Sequence, residues 1–207
     1  MFVVNPGPQS VLRTITDKEH YFAVRRLLAI CMSSNSNTPE VLCSDRLLTV
    51  GLKEIPTLTV NMENSLQVSA CLIVALGKDV FKAKPEEVSQ SIYGWAAALS
   101  MNSGEKLSQL DMPIPASALR PIGMAPDVSA SDMWLYVNNH DVAKIDFKRI
   151  KPGVFETISQ LSQSVRLKTG DALLIEVPEK IAAVVSGDAV RAGVTGVGML
   201  TVRILQK

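Results

Sequence analysis

The chain predicts a mixed, β-dominated α+β fold, a roll of strands with peripheral helices. Three observations carry this. Short apolar stretches recur along the sequence, each bounded by Gly, Pro, Asn, Asp or Ser. Only two windows read as helical, and each begins at a proline, Pro85 and Pro152. The 207 residues, 47% hydrophobic and 20% charged, suffice for one domain with a proper core.

Residues 1–21, with Pro6 and Pro8, read as an irregular segment, and residues 22–207 as a single domain. A strand is expected over 24–32, then a polar loop over 33–39 rich in Ser and Asn. Two short apolar stretches, 47–50 and 58–60, fit strands or loop anchors on either side of Pro56. Residues 68–76 are nearly all apolar, as a strand covered on both faces would be. The spacing of Val88, Ile92, Trp95 and Leu99 predicts a helix over 84–99, with Glu86 and Glu87 at its positive end. Residues 111–130 carry four prolines and read as a loop. A hairpin follows, with strands over 133–137 and 142–147 and Asn138-Asn139 as its turn. The second helix opens at Pro152 and places Val154, Phe155, Ile158, Leu161 and Val165 on one stripe. The tail reads as strands over 172–177, 190–194 and 199–205, entered by turns at Gly170-Asp171 and Gly187-Asp188.

Several function classes are disfavoured. Basic and acidic residues number 21 and 20, so no basic face for nucleic acid is expected. The longest apolar run, 70–77, fits one buried strand and falls short of a membrane span. No basic region followed by an apolar core opens the chain, so a secretory signal is not expected. Cys31, Cys43 and Cys71 lie far apart without a CxxC pair and read as reduced thiols. His20 and His140 read as surface residues, and Asp132, Asp141 and Asp146 as solvated strand ends. No nucleophile elbow, phosphate-binding loop or zinc-binding His pair is present.

Several fragments carry a resemblance: Phe22-Ala-Val-Arg-Arg26, Leu72-Ile-Val-Ala-Leu-Gly-Lys78, Tyr93-Gly-Trp95, Pro121-Ile-Gly123, Trp134-Leu-Tyr-Val-Asn138, Ile158 to Gly170-Asp171, and Gly187-Asp188 with Val194 to Ile204. In this order the chain resembles the fumarylacetoacetate hydrolase family, most closely its short fumarylpyruvate-hydrolase-like members. The resemblance implies that family's β-sandwich roll, usually dimeric.

It also implies a site. Family members hold Mg or Mn through carboxylates, because hard cations need anionic oxygens at close range. The metal there polarises a carbonyl of a 2-oxo acid. A Glu-x-Glu pair in the family matches Ser69 and Cys71, and a later Asp matches Ser100. The family's base falls near 33–37, ending at Asn37, where no His stands. Its Lys matches Ile114, and its Thr-Gly-Thr-Pro becomes Ile175-Glu176-Val177-Pro178. The resemblance therefore implies a degenerate site at Asn37, Ser69, Cys71, Ser100, Ile114, Glu176 and Val177, with no metal or other cofactor. A pseudoenzyme is expected, a structural or accessory subunit of a homodimer, of a heterodimer with a related chain, or of a larger complex. No nucleic acid and no membrane span are expected, and the compartment is soluble, mitochondrial or cytoplasmic. The alternative is a divalent-metal-dependent hydrolase, tautomerase or decarboxylase of a small 2-oxo dicarboxylic acid.

Overall fold

The computed structural model describes residues 11–15, 20–32, 40–42, 46–51, 53–60, 65–102, 112–125 and 127–207. The strands before the first helix are β1 (Val11–Arg13), β2 (Tyr21–Ala23), β3 (Arg26–Cys31), β4 (Glu40–Leu42), β5 (Leu47–Val50), β6 (Thr57–Val60) and β7 (Leu66–Leu76). Helix α1 (Pro85–Ser89) leads to β8 (Ile92–Asn102), β9 (Ile114–Ser117), β10 (Arg120–Pro121) and the hairpin β11 (Asp132–Val137) and β12 (His140–Asp146). Helix α2 (Val154–Ser162) precedes β13 (Asp171–Val184), β14 (Ala189–Val194) and β15 (Gly198–Gln206).

These strands make a sandwich. A large sheet runs β4-β3-β13-β7-β8-β9-β5, with β10 beside β8. A five-stranded sheet runs β12-β11-β14-β15-β6, and β1 pairs with β2 in a small sheet. The main core lies between the two larger sheets. Leu72, Val74 and Leu76 of β7 meet Met133, Leu135, Ala192 and Val202 there, together with Ile158 and Leu161 of α2. The opposite face of the large sheet forms a second apolar layer. Cys71, Ile73 and Ala75 point into it with Leu27, Ala96, Ala98 and Leu174, and Leu12 and Phe22 of the small sheet cover it. Side chains alternate along a strand. A strand covered on both faces must therefore be apolar throughout, which is why β7 reads as a continuous run.

The hairpin turn forms as expected. Asn138 and Asn139 take φ of 50° and 65°, a conformation Asn tolerates better than most residues. Asn138 holds it by donating to Asp188 at 2.7 Å and accepting from the Ala189 N–H at 3.0 Å.

Three expectations are corrected. The helix over 84–99 is only one turn, α1, and 92–102 is a strand. Its apolar residues are buried on both faces between β7, β9 and β10, so the period-four spacing within the run is incidental. The loop over 111–130 contains β9 and β10, which pair with β5 and β8. The segment 1–21 is not wholly irregular: β1 lies inside it, and Leu12 is fully buried in the second layer. Among the described residues, no helix is long and apolar enough to cross a membrane.

Gly94 shows how tightly β10 is laid on β8. A Cβ there would sit 2.5 Å from the Arg120 carbonyl oxygen, which belongs to backbone and cannot swing aside. Gly94→Ala is expected to lower stability by about 1–3 kcal/mol, the usual range for overpacking. Urea unfolding would check this. A midpoint equal to that of the unaltered chain would mean that β10 is free to retreat.

Candidate functional site

Strand register decides which chemistry-bearing side chains meet. The antiparallel pairing of β7 with β8 sets Ser69 directly opposite Ser100, and Cys71 opposite Ala98. On the other side of β7, β13 sets Glu176 opposite Cys71. Parallel pairing of β13 with β3 then sets Cys31 beside Glu176. Cys31, Glu176 and Cys71 thus stand in one row across three strands, with Ser69 and Ser100 in the next row. The cluster lies at one end of the second apolar layer.

Cys71 is fully buried, and Ser69 and Ser100 are buried beside it, while Glu176 and Cys31 are half-buried. The Cys71 Sγ–H has two acceptors, the Ser69 carbonyl oxygen at 3.6 Å and the Glu176 Oε1 at 3.9 Å. Burial pushes the Cys71 thiol far up from its ordinary value, and the Glu176 charge adds to this against weaker hydrogen bonding from Ser100. A thiol held protonated is neither an effective nucleophile nor a thiolate ligand.

Most, though not all, of the residues singled out in the sequence are brought together. Ser69, Cys71, Ser100 and Glu176 share the cluster. Ile114 packs fully buried in the same layer. Val177 is turned into the main core between the sheets, as alternation after Glu176 requires. Asn37 lies outside the described residues. Sequence reasoning missed Cys31 as a neighbour of Glu176. It read that cysteine as an isolated thiol, and the only signal was its place at the end of a strand whose partner was unknown.

As a donor set, the cluster differs from a carboxylate cage. It offers two neutral hydroxyls, the protonated Cys71 thiol, the Cys31 thiol and, from Glu176, one carboxylate. A hard divalent cation takes several anionic oxygens, and these residues by themselves do not fit one. Among the described residues, no group of three His, Cys, Asp or Glu side chains is placed to hold a metal ion.

Residues 34–205 match the model of the fumarylacetoacetate (FAA) hydrolase C-terminal family. The curated fumarylpyruvate hydrolase of Ralstonia sp. is 26% identical over 147 residues, covering 64% of this chain and 76% of that protein. The structure of fumarylpyruvate hydrolase from Pseudomonas aeruginosa, in complex with Mn2+ and pyruvate, superposes with a TM-score of 0.81 at 21% identity, covering 97% of this chain and 98% of that one. Maleylpyruvate hydrolase from Sphingobium sp. SYK-6, in complex with manganese (II) ion and pyruvate, superposes at 0.76 with 19% identity, over 88% and 71% of the two chains. At these identities the likeness to the structures establishes the fold. The expectation of no cofactor is corrected by the same comparisons: manganese sits with pyruvate in both of these structural relatives.

Proposed function

Because the chain belongs to the fumarylacetoacetate hydrolase family, we propose that it keeps that family's fold without the turnover of its relatives and serves as a structural or accessory subunit, paired with a second copy or with a related chain. One observation carries this reading. The in-register positions Ser69, Cys71 and Ser100 present no carboxylate, and the thiol among them is kept protonated. Catalysis by a bound metal requires that the ion be held and that its open coordination positions face the substrate. Neutral hydroxyls at these positions add no charge toward a hard ion, so a metal on this chain would rest on Glu176 and on groups outside these three positions.

A second reading has its own support. The relatives are hydrolases of pyruvate-type compounds, two of them in complex with manganese and pyruvate. Glu176 places a half-buried carboxylate at the cluster. On this reading the chain is a divalent-metal-dependent hydrolase of a small 2-oxo acid, with Glu176 as its anionic group.

One experiment separates the two. The purified chain is incubated with Mn2+ and either fumarylpyruvate or maleylpyruvate, and pyruvate release is followed. The first reading expects a rate equal to that without protein, and a native mass larger than one chain. Pyruvate release that is lost in Glu176→Gln would overturn it in favour of the second.

A further inference from the structure

At the end of the large sheet away from Ser69 and Glu176, the chain leaves β7 and passes close to the segment that enters β13. Val80 and Leu167 exchange both backbone hydrogen bonds, each at 3.0 Å. This buries Val80 and turns its neighbour Phe81 outward, 41% exposed. Two cations lie over that one ring. The Arg166 guanidinium carbon is 4.6 Å from the ring centroid, and the Lys82 Nζ is 5.4 Å from it. Lys82 holds its place through a left-handed backbone, φ 50°, secured by its N–H to the Ser162 carbonyl at 2.9 Å.

Neither cation has a carboxylate within ion-pair distance among the described residues. Three of the nearby acids are engaged elsewhere. Asp79 accepts from the Thr169 N–H and from Lys168 Nζ, both at 2.9 Å, which together hold its carboxyl down to about 2. Asp171 is taken by Arg26, and Glu87 accepts from the Lys84 N–H at 2.7 Å. Arg25 and Lys78 are further exposed cations at this end of the sheet.

We propose that Phe81, Lys82 and Arg166 form a docking point for an acidic segment of a partner protein. Two like charges on one ring repel each other, and a carboxylate laid beside them relieves that repulsion. An apolar side chain next to the carboxylate would cover the open part of the ring. Arg and aromatic residues are the types that carry binding energy at protein interfaces. An open ring beside two cations points to a protein segment, which can set an apolar side chain and a carboxylate side by side; Glu86 and Glu87, exposed on the adjoining α1, oppose a broad anionic surface, polymer or lipid, laid across this whole face. The chain's net charge of +1 provides no wider attraction for either. The proposal stands whether or not the distant cluster is catalytic.

The test is fluorescence anisotropy with a short fluorescein-labelled peptide alternating Glu and Leu. Phosphatidylserine vesicles and a single-stranded DNA oligonucleotide are measured alongside. The expected result is peptide binding that weakens about tenfold in K82E/R166E, in the range seen when interface charge pairs are broken. Phe81→Ser, which leaves the charge intact, is expected to weaken it by about threefold. Arg203→Glu, on the exposed face of the five-stranded sheet, is expected to leave it unchanged. Thermal melts confirm that each variant is folded. The proposal falls if the peptide does not bind, if K82E/R166E or Phe81→Ser binds as the unaltered chain does, if Arg203→Glu weakens binding as much as K82E/R166E, or if vesicles or DNA bind more tightly than the peptide.

Discussion

Replacing Arg26 by Met is expected to lower folding stability by about 3–5 kcal/mol, the range for stripping the partner from a buried charge. Asp171 is fully buried where β13 begins, and register sets it beside Arg26 of β3. Its carboxylate accepts from Arg26 Nε at 2.9 Å and also from Arg26 Nη2, while the Lys168 N–H donates at 2.7 Å. Arg26 Nη2 reaches on to the Arg166 carbonyl at 3.0 Å. The guanidinium therefore ties β3, the start of β13 and the segment before it into one unit. Met fills the volume of the alkyl stem but leaves the carboxylate in the interior with the Lys168 N–H and no counter-charge. Asp171→Asn should be milder, because it removes the charge while keeping an acceptor, and because Arg26 is 36% exposed and reaches water. The double variant R26M/D171N should be more stable than R26M alone. Urea unfolding of the three variants checks this ordering. If R26M and D171N lose the same amount, the burial of an uncompensated charge is not the governing term.

The second large effect concerns the cluster. The variant S69E/C71E/S100D is expected to lose several kcal/mol without metal and to regain much of that with Mn2+. In the absence of an ion, three added carboxylates would stand beside Glu176 in a layer where Cys71 is fully buried. Like charges in a low-dielectric site raise one another's pKa values and oppose folding. An ion that binds only the folded chain stabilises it by mass action, about 2.7 kcal/mol at a hundredfold excess over Kd. Thermal melts in EDTA and in Mn2+ read both halves of the prediction. A melting temperature for the variant that Mn2+ does not move would show that these positions do not converge on one ion, and would undo the matching of Ser69, Cys71 and Ser100 to the family's ligands.

The sheet-and-helix content was legible where local chemistry spoke clearly. Asn138-Asn139 marked a hairpin because Asn tolerates positive φ. Pro152 and the stripe of Val154, Ile158 and Leu161 marked α2, whose buried face carries those residues. The apolar run at 68–76 marked a strand with two covered faces. The failure at 84–99 has an equally local cause. A mostly apolar stretch such as Ile92–Asn102 satisfies helical and extended spacing alike, and only its neighbouring strands β7, β9 and β10 decide which it adopts. Pro113 and Pro115 hid β9 for a different reason. Proline is tolerated where its missing N–H is not needed, and β9 meets β8 at a single pair of residues.

By itself, the sequence determined the alternation that puts Ser69 and Cys71 on one face of a strand. It also determined the order of fragments that resembles the family, and the neutral character of Ser69, Cys71 and Ser100. Only the tertiary structure decided the rest. It set Ser69 against Ser100, set Glu176 between Cys31 and Cys71, and sent Val177 to the other side of the sheet. It also brought Arg166 over Phe81 and its neighbour Lys82, from far along the chain. The physical reason is common to all of these. Which strand pairs with which, and in what register, is fixed by burying two apolar layers at once, and that sum runs over the whole chain and cannot be read within any one segment of it.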